Sequence, residues 1–146
     1  MLFRSTIEFL KEVNDILQGS PFELAYRALN EALLHVACFK PRDERGLQAV
    51  WDDFLMTKVL PRIEGDADKL MSIQSDSASN LLGDLEELLS KRLGEIWNDS
   101  DNGSRPDFFQ RAADGQSDLM TACRSRKKLH WMKRRLETNT FTSFWP

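Results

Sequence analysis

The chain has 146 residues, 41% of them hydrophobic, which is enough for one domain with a genuine core and too few for two. No apolar run approaches the ~18 residues needed to cross a bilayer. Met1 to Thr6 lacks the basic start, long apolar stretch and small-residue cleavage site of a secretory signal, so a cytoplasmic location without membrane insertion is expected. The net charge of −3 hides an asymmetry, because seven of the twenty Lys and Arg residues lie between Arg124 and Arg135, a stretch without Asp or Glu. Any electrostatic partner belongs near that end.

Helix signals recur along the chain, and strict alternation of β-branched or aromatic residues with polar ones is nowhere sustained. The expected fold is therefore all-α, a compact bundle of about five helices with a mobile loop before the last. Ser5-Thr6-Ile7-Glu8 has capping-box spacing, and Ile7, Leu10, Val13 and Leu17 repeat at helical intervals until Gly19 stops the run. Ser20-Pro21-Phe22-Glu23 reads as a second capping box, with Phe22, Tyr26, Leu29, Leu33 and Val36 as the inward stripe of helix two, reaching Phe39.

Pro41 follows, and Asp43 can cap a third helix with Leu47, Val50, Trp51, Phe54 and Leu55 on one face, closed by Pro61. Arg62 to Asn80 mixes Gly65 with Asp and Ser and reads as a connector with one short helical piece. Leu81, Leu82, Leu85, Leu88, Leu89, Leu93, Ile96 and Trp97 mark a strong fourth helix. Residues 98–116 are rich in Asn, Asp, Ser and Gly and read as an exposed loop. A fifth helix is expected from Ser117 to Asn139, with Leu119, Met120, Cys123, Leu129, Met132 and Leu136 inward. The tail, residues 139–146, carries Phe141, Phe144 and Trp145; leaving three such rings in water costs ~1.5–3 kcal/mol each, so the tail should dock.

None of the seven glycines opens a phosphate-binding loop ending in Lys and Ser or Thr. Asp52-Asp53 follows Val50-Trp51 inside a helical pattern, where it is not placed to hold a metal at a strand tip. NTP hydrolysis by the chain alone is therefore not expected; no catalytic residue, metal site or cofactor is assigned. His35 with Cys38 and Cys123 with His130 would make a tetrahedral zinc site only if their helices abut; the plain alternative is two small buried thiols. Glu86-Glu87 and Asp66-x-Asp68 read as solvated faces or caps. Arg124, Arg126, Lys127, Lys128, Lys133, Arg134 and Arg135 would spread over the outer face of the last helix around Trp131, suiting DNA phosphates or an acidic partner, or equally a solvated face that balances an acidic bundle.

Three stretches carry a family resemblance: Phe22-Glu23-Leu24-Ala25-Tyr26-Arg27-Ala28-Leu29-Asn30-Glu31, then Lys58-Val59-Leu60-Pro61-Arg62-Ile63-Glu64-Gly65-Asp66, and Lys128-Leu129-His130-Trp131-Met132 running on to Phe141-Thr142-Ser143-Phe144-Trp145. Together they resemble the C-terminal part of McrB-type AAA+ NTPases, over most of Ser20 to Asp68 and the last twenty residues. The resemblance implies a non-catalytic helical lid or accessory module, acting by protein contact on an NTPase core domain or ring-forming subunit that drives a nuclease subunit in DNA restriction or phage defence. Arg27 then occupies the place of a nucleotide-sensing arginine, whose planar guanidinium suits terminal phosphates better than Lys does. A surface pair with Glu23 or Glu31 is an equally cheap account of the same residue. The nucleotide-binding core of that family has no counterpart in this sequence. A small helical nucleic-acid-binding protein is the alternative function.

Overall fold

The computed structural model describes residues 2–73, 80–97, 105–111 and 118–146, with side chains at 108–111, 118 and 119 left aside. It is mostly helical. Helix α1 spans Leu2–Leu17, α2 Tyr26–Phe39, α3 Glu44–Phe54, α4 Leu81–Arg92, α5 Gly94–Trp97 and α6 Arg124–Asn139. Two small antiparallel sheets supplement them: β1 (Glu64–Asp66) with β4 (Phe141–Ser143), and β2 (Arg105–Arg111) with β3 (Asp118–Thr121). The all-α expectation is corrected on this point.

The central element is α3, buried from Gly46 to Phe54. Asp43 starts it as expected, its Oδ1 accepting from Gly46 N at 2.7 Å. The helical path does not stop at Phe54 but widens into a π-turn over Leu55–Val59 and tightens into a 3-10 turn over Leu60–Arg62. Pro61 sits at the start of that last turn, where its missing N–H is no loss.

Helix α1 lies against α3 through Phe9, whose ring stacks on Trp51 with centroids 4.3 Å apart. Its start differs from the expected cap. Thr6 is inside the helix, donating to Leu2 O at 2.7 Å, and its Oγ1 accepts from the buried Trp51 Nε1 at 3.0 Å. The buried stripe accordingly runs through Thr6, Phe9, Leu10, Val13 and Leu17, and Ile7 faces out.

The second capping box is also corrected. Ser20 closes α1 instead of opening α2, donating to Leu17 O and accepting from Phe22 N, while Gly19 takes the left-handed φ of +86° that the reversal requires. Asn14 of α1 then accepts from Leu24 N at 2.8 Å, and α2 begins only at Tyr26. Pinning the chain at Phe22 and Leu24 moves Tyr26 from the expected inner stripe to an exposed position.

After Arg62 the connector to α4 holds β1 and a turn, with no helix among the residues described there; 74–79 lie outside the description. Asn80 caps α4 by accepting from Gly83 N at 2.8 Å. Leu81, Leu82, Leu85, Leu89, Leu93 and Ile96 are all fully buried, as their spacing predicts, and the path breaks at Leu93 before α5.

Two expectations fall on the stretch before α6. The ribbon β2–β3 occupies 105–111 within the expected loop and 118–121 within the expected helix five, pairing Arg105 with Thr121, Pro106 with Met120 and Asp107 with Leu119. The rest of the expected loop, 98–104 and 112–116, lies outside the described residues. Helix α6 starts at Arg124 and turns Ser125, Leu129, Met132 and Leu136 inward. The tail does dock: β4 pairs with β1, placing Glu64 opposite Ser143 and Asp66 opposite Phe141. Phe144 is buried, whereas Phe141 and Trp145 stay exposed.

Candidate functional site

Two charged regions meet at α6, one buried and one exposed. The buried one begins at the end of α3, where Asp52 and Asp53 both face inward because the helix is enclosed on all sides from Gly46 to Phe54. Arg105, wholly buried on β2, places Nε 2.9 Å from Asp52 Oδ2, pairs through Nη2 with Asp53 Oδ1, and donates to Ala49 O at 3.2 Å. Asp52 also accepts from the first backbone amides of α6, Arg124 N at 3.0 Å and Ser125 N at 2.8 Å, where the helix dipole favours a carboxylate. Arg124 reaches Asp53 at 3.2 Å and Asp107 of β2 at 3.5 Å, so five charged side chains join α3, the ribbon and α6.

The cluster is not fully satisfied. Asp53 Oδ2 and Arg105 Nη1 find no hydrogen-bond partner among the described residues. Burial raises the Asp53 carboxyl above its ordinary 3.8; Arg105 opposes the shift, Asp52 reinforces it, and the smaller contributions of Arg124 and Asp107 oppose one another. Cys123, in contact with Asp52 at 3.4 Å, is pushed up to about 12, first by burial and then by that carboxylate's charge. A thiol so held is neutral at physiological pH and is no nucleophile. The arrangement is that of a structural clamp.

The exposed region is the outer side of α6, and the structure divides the seven expected basic residues sharply. Arg124 is engaged in the cluster. Lys133 pairs with Glu86 of α4 at 3.2 Å. Lys128 donates to Phe144 O at 3.1 Å, and Arg135 to Trp145 O at 2.7 Å, so both fasten the tail. The same two cations lie over the Trp131 ring, at 4.5 and 5.0 Å from its centroid. Arg126, Lys127 and Arg134 form no ion pair among the described residues.

Three shallow hollows border these residues. One of about 360 Å³ is lined by Glu86, Trp97, Arg126, Lys127 and His130. Another of about 520 Å³ lies between Met56, Lys127, Lys128, Trp131 and Pro146, and a third of about 330 Å³ between His130, Trp131, Arg134 and Arg135. Charge, aromatic surface and concavity therefore coincide on one face of one helix. The family model described as "Domain of unknown function (DUF8727)" matches residues 1–141. The chain belongs to this family. No curated protein matches it, and no solved structure does.

Elsewhere in this DUF8727 chain, Arg27 lies in the first turn of α2, with 89% of its side chain exposed and Glu31 at 3.7 Å. Lys58 shares that Glu31 at 3.5 Å. Beside it α1 and α2 leave an apolar cleft of about 340 Å³ lined by Ile7, Leu10, Leu24, Tyr26 and Leu29 among others. The two Cys and His pairs are not brought together: Cys38 is exposed, Cys123 is buried against Asp52, and His35 Nδ1 is 2.8 Å from Glu31 O. Among the described residues no three His, Cys, Asp or Glu side chains are grouped as metal ligands, and no helix is long and apolar enough to cross a membrane.

The buried cluster escaped sequence reasoning. In sequence Asp52 and Asp53 are two acids within a helical pattern, and Arg105 falls in a stretch with loop composition. No local signal marks it, because α3 has polar residues at Gln48, Asp52 and Asp53 that the apolar spacing would leave facing solvent.

Proposed function

We propose that this domain is a non-catalytic helical module that acts by contact with a McrB-like NTPase in restriction or phage defence, inside the cell, in the manner of a lid. The observation that supports the reading is the freedom of Arg27. Its side chain is almost wholly exposed at the start of a helix, and its carboxylate partner Glu31 is also engaged by Lys58. A guanidinium held in this way can extend to phosphates bound by a neighbouring polypeptide and stabilise charge that develops during phosphoryl transfer. The adjacent cleft, with Tyr26 81% exposed at its rim, offers apolar surface for the neighbour to cover.

The test mixes the purified domain with the nucleotide-binding core of a McrB-type NTPase. Co-elution and increased turnover are expected, with Arg27→Ala retaining co-elution and losing at least about tenfold of the increase, equivalent to ~1.4 kcal/mol of transition-state stabilisation. Absence of co-elution, or an increase undiminished in the Ala variant, rejects the reading. A second reading, nucleic-acid binding through α6, is favoured by the three basic residues that the fold leaves without an internal carboxylate.

A further inference from the structure

Resting on that second reading, we propose that the ligand of α6 is single-stranded nucleic acid, its phosphates held by Arg126, Lys127 and Arg134 and its bases stacked on the exposed indole of Trp145. Four of the seven basic residues are committed elsewhere, Arg124 to Asp53 and Asp107, Lys133 to Glu86, and Lys128 and Arg135 to the tail carbonyls. The other three lie along one side of α6, and its one carboxylate, Glu137, is confined to the last turn. The hollows around them adjoin at shared residues: Lys127 lines two, His130 two and Trp131 two. From Arg126 to Asn139 this face runs roughly 20 Å at the rise of an α-helix.

The aromatic group decides between one strand and two. Trp145 is 61% exposed, and a base inside a duplex has no free face to offer an indole. Trp145 is held in place, not trailing: its carbonyl accepts from Arg135 Nη1 and from Ser143 Oγ, each at 2.7 Å, and its ring meets Phe144 edge-on. Pro146 next to it lines the same hollow as Lys127. An exposed indole on a face that also carries cations is the arrangement that binds a flexible strand with little regard for sequence.

The experiment measures fluorescence anisotropy of the full chain with labelled single-stranded DNA, single-stranded RNA of the same sequence, and the DNA duplex, between about 50 and 200 mM salt. Tighter binding of either single strand than of the duplex is expected. Three phosphate contacts at ~0.7 each predict a log–log salt slope near −2, whereas engagement of all seven basic residues predicts one near −5. Lys127→Ala with Arg134→Ala should weaken binding at least about tenfold, Trp145→Ala should weaken the single strand by about tenfold and leave the duplex unchanged, and Lys133→Ala should do neither. Trp145 and Lys127 are exposed, Lys133 is part-buried against Glu86, and an unchanged circular dichroism spectrum verifies the fold of each variant. Equal binding of duplex and single strand, indifferent to Trp145→Ala, overturns the inference while the second reading stands; no binding of any nucleic acid overturns both; and a slope near −5 overturns the assignment of three contacts.

Discussion

Replacing Arg105 with Met removes the charge at the centre of the buried cluster while nearly conserving side-chain volume. In the native chain this guanidinium is wholly enclosed and compensates Asp52 and Asp53 together. Breaking a buried pair by deleting one partner costs ~3–5 kcal/mol, far above the ~0–1 kcal/mol of an exposed pair, because the surviving carboxylates stay desolvated. Two features place the cost at the lower end. Asp52 keeps its bonds from the α6 amides, and Asp53 keeps Arg124 at 3.2 Å. The expected loss is about 3 kcal/mol; with a urea dependence of roughly 2 kcal/mol per M, the unfolding midpoint followed by tryptophan fluorescence drops by about 1.5 M. Adding Asp53→Asn to Arg105→Met should recover at least about 1 kcal/mol, since one of the stranded charges is then gone. A midpoint lowered by less than about 0.3 M, or full additivity of the two changes, would refute the account of the cluster as mutually compensating charges.

Two more outcomes follow from the same residues. Burial lifts Asp53 above 3.8, so its folded state holds the proton more tightly than the unfolded chain; this group therefore adds stability as pH falls from above its folded value toward 3.8 and withdraws it as pH rises through the folded value. Asp53→Asn should flatten that part of the stability profile in urea titrations at pH values above 3.8, and a variant profile as steep as the native one contradicts the shift. A thiol-reactive dye at neutral pH should label exposed Cys38 alone in the native chain and Cys123 only after denaturation, since Cys123 is buried and pushed up to about 12; rapid native labelling of both would disprove that burial.

The elements legible in the sequence were those built on apolar spacing with a local cap. Helix α4 is the clearest: its leucines repeat on one side, Asn80 caps it, and every expected inner position except the partly covered Leu88 is buried. The helix starts expected at Ser5 and Ser20 differ from the structure because capping-box spacing does not fix a boundary: Ser5 lies inside α1 next to Thr6, which back-bonds to Leu2 O, and Ser20 closes the preceding helix. The ribbon β2–β3 was illegible for a different reason. Its inward residues on β2 include Arg105 and Asp107, so hydrophobic alternation cannot mark it; charge pairing across elements far apart in sequence puts those residues inside, and no local window contains both partners.

The same limit applies to the candidate site. Counting charges gave a uniform basic face of seven, but a cation's availability depends on what the fold places beside it. Asp52 receives the first amides of α6 and fixes where that helix begins, which carries Arg124 into the cluster and sets Lys128 and Arg135 against the returning tail. With α6 so anchored, Lys133 meets Glu86 across the α4 contact. Of the seven, Arg126, Lys127 and Arg134 then form no ion pair among the described residues. A residue that stabilises the fold cannot leave its partner for a ligand without a cost near that of the broken contact, so the three uncommitted cations should govern binding and the four committed ones stability.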